Sequence, residues 1–405
     1  MITIEEVMTP DGNLVDYSVE STEEVVLQGK GLILLPALID PHVHFRTPGL
    51  EHKENWESAA RAALFGGITT VFDMPNTLPP TITLERLKDK KQLIQSQLEA
   101  CGIPLHFDLY LGADKSHFNE ILKCRSEVVA LKVFMGSSTG GLVMDDESSL
   151  HAAFSLAASH DLLLAVHAED EALIEERKPL FQGRTDPKTH SEWRNEEVAA
   201  RATEKAIALS KLYGTRLHLL HIGTKQEIAL IAAAKKEGVR VTCETTPHHL
   251  FLSTQDYATF GTKVQMNPPL RSQENVDALW HAIEEGIVDT IGSDHAPHTL
   301  EEKSLPYGRA PSGIPGVETT LPLLLDACSK GRITLKQIIY LMRERIQEIY
   351  RLPPNNDFVL VDPNKKATID EQRLKTKCGW SPYAGREIQG WPVYTILKGK
   401  IYDLH

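Results

Sequence analysis

Short runs of apolar and β-branched residues recur along most of this chain, and each runs into polar side chains at its C-terminal end. They are "ALIDPHVHF", "TTVFDMPN", "LHFDLYLG", "VVALKVFM", "LLLAVHAE", "RLHLLHIG", "VRVTCETTP" and "VDTIGSDHA". Between them lie stretches whose apolar residues return at three- and four-residue spacing, such as "NWESAARAALFGG", "LERLKDKKQLIQSQLEA", "NEEVAARATEKAIALSKLYG" and "TKQEIALIAAAKKEG". Continuous apolar runs suit strands buried on both faces, and the longer spacing suits helices packed by one face. Several helical stretches close on glycine, which ends a helix without strain. Eight alternations predict a parallel (β/α)8 barrel over residues 37–353, with a doubly wound open sheet as the alternative. The two ends read differently. "EEVVLQGKGLILLP" near the start and "DFVLVDPNKKATI" with "PVYTILKGKIYDL" near the end are β-like. Residues 1–36 and 354–405 are therefore expected to pair into one small composite β-sandwich beside the barrel.

Composition narrows the function. The chain has 405 residues, 41% hydrophobic and 24% charged, the balance of a soluble globular enzyme. A formal net charge of −12 argues against a nucleic-acid partner, although a local site can still be cationic. No run approaches the roughly 18 apolar residues of a membrane span. The N-terminus "MITIEEVMTPDG" has no signal-like apolar core, and five scattered cysteines form no CxxC pair. These features predict a cytoplasmic protein with reduced thiols.

In a parallel barrel the reactive face lies at the C-terminal strand ends, and the residues there form a pattern. The first strand ends in His42 and His44, two apart and so on one face. The fourth carries Lys132, the fifth ends in His167, the sixth in His221 and the eighth in Asp294. Taken singly each has an ordinary reading: surface histidines, a snorkelling lysine, a satisfied polar residue. Together, four imidazoles and a carboxylate on one rim are the donor set for zinc or a similar divalent ion. Lys132 cannot ligate as an ammonium. As a neutral amine, which burial favours, it can take up carbon dioxide to form an anionic carbamate that bridges two cations.

The order HxH, Lys, His, His, Asp on strands one, four, five, six and eight resembles the amidohydrolase superfamily. "DPHVHFRTPGLEHKE", "GGITTVFDMPNTLPPT", "KVFMGSSTGG", "NPPLR", "SDHAPHTLEEK" and "APSGIPGVETTLPLLL" resemble its dihydroorotase branch, in the form that uses a carboxylated lysine. The resemblance implies two divalent metals, zinc being usual. His42, His44 and Asp294 would hold one, His167 and His221 the other, with carboxylated Lys132 between them. It implies Asp294 as the catalytic proton carrier. The substrate would be N-carbamoyl-L-aspartate, cyclised to L-dihydroorotate in pyrimidine synthesis. Arg46, Asn76 and His298 would meet the substrate carboxylate, His44 would also touch the substrate, and Asn267 with backbone groups of Ser312 and Gly313 would bind the ring amides. Ser138 or Thr139, in the glycine-rich loop after the fourth strand, would contact substrate on closure. His248 and His249 read as structural. A homodimer and an association with aspartate transcarbamoylase belong to the same expectation.

For Asn76, Asn267 and His298 the residues alone, without the resemblance, read first as ordinary loop capping. Two other functions compete. A hydantoinase, dihydropyrimidinase or allantoinase shares the ligands but has no need of Arg46 with Asn76 and His298. An inactive scaffold subunit would have lost ligands, whereas all six positions are filled here.

Overall fold

The computed structural model describes residues 1–138 and 141–404. Four short strands come first: β1 (Ile2–Met8), β2 (Leu14–Val19), β3 (Val25–Gln28) and β4 (Ile33–Pro36). Eight follow with helices between them: β5 (Leu38–Val43), β6 (Ile68–Asp73), β7 (His106–Gly112), β8 (Ala130–Phe134), β9 (Leu163–His167), β10 (Arg216–Leu219), β11 (Val241–Thr245) and β12 (Thr290–Ile291). Three more end the chain: β13 (Phe358–Thr368), β14 (Glu387–Leu397) and β15 (Lys400–Asp403).

Strands β5 to β12 hydrogen-bond in chain order and all in parallel. β5, β6, β8 and β9 are buried along their whole length, the state a continuous apolar run requires. The ring is nearly closed. At the seam, Val43 bridges His295 in parallel, just beyond the two-residue β12. Asp40 bridges the same seam: its Oδ1 accepts the backbone N–H of Ser293 at 3.0 Å and that of His42 at 3.2 Å. One buried side chain thus ties the strand carrying His42 to the segment carrying Asp294.

The helices start where their caps dictate. Asn55 caps Trp56–Phe65, Thr83 caps Leu84–Cys101 and Asn195 caps Glu196–Tyr213, each accepting a first-turn N–H. Thr224 and Glu227 form a reciprocal capping box on Lys225–Lys236. The 18-residue helix Glu196–Tyr213 stops at Gly214, whose φ of 73° lies in the left-handed region.

The chain ends meet in one seven-stranded mixed sheet of order β15-β14-β13-β4-β1-β2, with β3 parallel to β1. Its own core includes Ile4, Val7, Leu34, Leu360 and Ile396. Only Ala37 separates β4 of this sheet from β5 of the barrel. Between β13 and β14 a loop reaches back over the barrel, where Trp380 Nε1 donates to His298 O at 2.8 Å. Its Thr376 Oγ1 donates to Glu54 at 2.5 Å.

Candidate active site

The C-terminal end of β5 brings His42 and His44 to one face, as two-residue spacing requires. Each ring is fixed from behind. His42 Nδ1 meets Glu244 Oε1 at 2.7 Å, and His44 Nδ1 meets Asn76 Oδ1 at 2.8 Å. With Nδ1 donating, Nε2 presents its lone pair. Both lone pairs face Asp294 Oδ1, from His42 at 3.3 Å and from His44 at 3.1 Å. Burial pushes His42 down to about 3 and His44 well below the usual imidazole range, so both rings are neutral. Three acceptors aimed at one another repel unless a cation or proton lies among them. The ligand atoms of His42, His44 and Asp294 all lie within 4.8 Å of one another. The donor set fits a divalent cation, with Glu244 and Asn76 in the orienting positions that such histidines use.

A second pair stands beside it. His167 Nε2 is held by Glu169 Oε2 at 2.9 Å, and Nδ1 points at His221 Nε2 3.0 Å away. Glu169 is itself clamped by Arg194, whose Nη2 donates to Oε2 at 2.5 Å. Burial raises the Glu169 carboxyl, and the Arg194 guanidinium then holds it below the carboxylate range. His221 Nδ1 is buried with no hydrogen-bond partner among the described residues. Lys132, 1% exposed, lines the same pocket as both groups. Its Nζ sits 4.5 Å from the Phe134 ring centroid. Among the described residues no carboxylate pairs with it. Burial pushes its amine down to about 7, so a substantial neutral fraction exists near neutral pH.

Three site residues hold left-handed backbone angles without being glycine: Arg46 at φ 64°, His221 at 39° and Asp294 at 45°. Each such conformation costs about 1–3 kcal/mol and persists only where the surroundings impose it. Asp73 is part of those surroundings. Its Oδ1 accepts the N–H of Phe45, between His44 and Arg46, at 2.7 Å. Lys90 pairs with its Oδ2 at 2.5 Å and donates to Met74 O at 2.9 Å.

These groups open into a pocket of about 350 Å³ lined by His42, His44, Arg46, Asn76, Lys132, Phe134, Ser138, His167, His221, Met266, Asn267, Asp294, Ala296 and Ser312. The six metal-ligand candidates therefore converge, together with Arg46, Asn76, Asn267, Ser312 and Ser138. Thr139 lies outside the described residues. His298 and Gly313 are not among the lining residues. His298 is enclosed: Lys53 Nζ approaches Nδ1 at 3.0 Å and Nε2 faces Ser312 O at 3.0 Å. Gly313 is pressed against it, since a Cβ there would meet Ala296 O at 2.3 Å and the His298 ring at 2.7 Å. The Gly313 N–H donates to Gln265 O at 3.0 Å. The Ser312 carbonyl accepts from His298 Nε2, and Ser312 lines the pocket.

Arg46 is 2% exposed and pairs with no carboxylate among the described residues. Its Nε donates to Pro297 O at 3.0 Å. Its Nη2 lies 3.2 Å from His298 Nε2, but that nitrogen must carry a hydrogen for the Ser312 carbonyl and cannot also accept. The guanidinium end is thus buried, its charge disfavoured enough to push it down to about 10, and its outer donors are left for an anion.

Several of these residues escaped the reading of the sequence. Glu169 follows His167 by two, the same spacing that drew attention to His42 and His44. Glu244 is an acid inside the buried strand "VTCET", a legible signal. Lys90 and Arg194 act from a helix and a connection and carry no local signature.

The amidohydrolase family model matches residues 33–401. The chain belongs to the amidohydrolase family. Among curated relatives, a dihydroorotase of Halobacterium salinarum is 36% identical over 90% of this chain and 85% of its own length. One of Carboxydothermus hydrogenoformans is 34% identical over 97% and 92%. This amidohydrolase is also 36% identical to the multifunctional protein CAD of Squalus acanthias, over 91% of the chain and 15% of that protein. Among solved structures, L-hydantoinase of Arthrobacter aurescens superposes with a TM-score of 0.91 at 27% identity, covering 99% of this chain and 95% of that one. A (β/α)8 barrel beside a β-sheet domain is thus the fold of this amidohydrolase.

Proposed function

We propose that this chain is a dihydroorotase, which closes N-carbamoyl-L-aspartate to L-dihydroorotate and hydrolyses the ring in reverse. The observation that carries the reading is Arg46: a buried guanidinium at the pocket wall that pairs with no carboxylate among the described residues. Hydantoin and dihydrouracil rings bear no carboxylate, whereas dihydroorotate does, and a guanidinium fork matches it. The dihydroorotase relatives support the same substrate. The likeness to L-hydantoinase favours a second reading, a neutral-ring amidase, which leaves the buried charge of Arg46 unexplained.

In this proposal His42, His44 and Asp294 hold one divalent ion and His167 with His221 a second, both zinc. Lys132, as a carbamate formed when its neutral amine attacks carbon dioxide with release of one proton, would supply a further anionic ligand. Bound there, such ions would supply acidification of a water and polarisation of the ring carbonyl. The remaining steps belong to side chains. Arg46, with Asn76 beside it, orients the substrate carboxylate. Asn267 and the Ser312 hydroxyl receive the ring amide, and Ser138 approaches from the loop after β8. Asp294 takes the proton of the attacking water on its carboxylate and returns it to the leaving amide nitrogen. Six intact ligand positions speak against an inactive scaffold. A cytoplasmic location and association with a second copy or an aspartate transcarbamoylase complete the proposal. The match to a multifunctional protein supports a multi-enzyme setting.

The test is turnover of L-dihydroorotate, dihydrouracil, hydantoin and allantoin by zinc-loaded protein. Hydrolysis of dihydroorotate alone supports the assignment; turnover of only the neutral rings overturns it.

A further inference from the structure

His190 lies on the short helix Thr189–Trp193, within the long connection from β9 to β10, and is 4% exposed. Its Nε2 is 3.1 Å from Met266 O and 2.7 Å from Asn267 Oδ1, with a longer contact of 3.4 Å to Ser312 Oγ. Met266, Asn267 and Ser312 all line the pocket; His190 stands behind them. A backbone carbonyl can only accept, so the Met266 contact requires that Nε2 carry the hydrogen. The Asn267 atom facing that N–H is then its carbonyl oxygen, and its amide nitrogen is the end turned elsewhere.

Ser312 is constrained in the same way. Its Oγ lies 3.1 Å from Gln265 Nε2, and that nitrogen also donates to Ala310 O at 3.1 Å, which identifies it as the amide NH2. With Oγ accepting from Gln265 and approached by His190, Ser312 retains its hydroxyl hydrogen to give. The part of the pocket wall formed by Asn267 and Ser312 therefore offers hydrogen-bond donors.

We propose that His190 is a positioning residue that fixes Asn267 and Ser312 as donors toward the pocket, making this wall complementary to the carbonyl oxygens of a cyclic imide or ureide. The proposal rests on the cyclic-amide reading and deepens it. A ring that presented N–H groups to this wall would meet donors with donors and be rejected.

The experiment compares His190→Phe and His190→Gln in zinc-loaded enzyme, with dihydroorotate and hydantoin as parallel substrates. Phe removes the N–H, whereas Gln retains one. For His190→Phe, KM is expected to rise about tenfold, the effect of losing one orienting hydrogen bond, with kcat within about threefold of wild type. Metal content is expected at the wild-type level, and His190→Gln should recover most of the loss in KM. An unchanged KM in His190→Phe overturns the proposal, as does a Gln variant as impaired as Phe. If His190→Phe does not fold, His190→Gln decides: a near-wild-type KM supports the proposal and a tenfold rise overturns it. Wild-type enzyme that accepts hydantoin but not dihydroorotate would defeat the substrate assignment alone. The variants would then be compared by their hydantoin KM, because both rings carry carbonyls.

Discussion

Replacing Arg46 with glutamine tests the functional reading most directly. Gln keeps a polar side chain of intermediate length but removes the charge and the fork. Any non-glycine residue there bears the same left-handed φ of 64°, so the backbone strain cancels between wild type and variant. The Pro297 carbonyl loses its Nε donor, and the substrate carboxylate loses its counter-charge in a site where Arg46 is 2% exposed. Truncating one partner of a buried charge pair costs about 2–5 kcal/mol. At 1.4 kcal/mol per tenfold, kcat/KM for dihydroorotate should fall between about 30-fold and a few thousand-fold. The loss should appear mainly in KM, because the carboxylate is held alike in ground and transition states. The assay is steady-state hydrolysis of dihydroorotate, with zinc counted by elemental analysis. Zinc should stay at the wild-type level, since Arg46 touches no ligand atom. A drop of less than about threefold would refute the reasoning. So would loss of zinc, which would make Arg46 part of the scaffold instead.

Three further outcomes follow from the geometry. Lys132→Ala should lose nearly all activity and most zinc, and small carboxylic acids added to the assay should restore part of both; full activity in the variant would make Lys132 structural. Glu244→Gln replaces the carboxyl group behind His42 with an amide and should weaken zinc binding about 10- to 100-fold, read by chelator competition, with unchanged affinity counting against an orienting role. Glu318 gives a pH prediction away from the ligands. Burial pushes its carboxyl from 4.5 up to about 7 while Lys375 and Thr376 donate backbone N–H to it. The native state therefore binds a proton that the unfolded chain has released, and its stabilisation is lost as pH rises from 4.5 to 7. Glu318→Gln should lack that decline, so melting temperatures of wild type and variant should diverge across this window; parallel curves would contradict the shift.

Much of this molecule was legible in its sequence. The eight apolar runs became β5 to β12, because a strand buried on both faces needs an unbroken apolar run and little else can use one. The quoted helical stretches formed where Asn55, Thr83, Asn195 and Thr224 cap them, a purely local effect. His42, His44, Lys132, His167, His221 and Asp294 could be named because a parallel barrel sends every strand end to one face. What the sequence could not supply was the second layer. Glu244 reaches His42 from 202 positions away, and His190 orders Asn267 and Ser312 from a connection with no pattern of its own. Such partners are selected by distance and hydrogen-bond polarity in three dimensions, and neither leaves a period in the chain. The same reason separates His298 from Arg46. Both are polar residues beside ligand motifs in the sequence, yet packing turned the guanidinium to the pocket wall and enclosed the imidazole behind it. Strand ends and helix caps were determined by local chemistry. Which side chain faces the substrate, and with which atom, was decided by the tertiary structure.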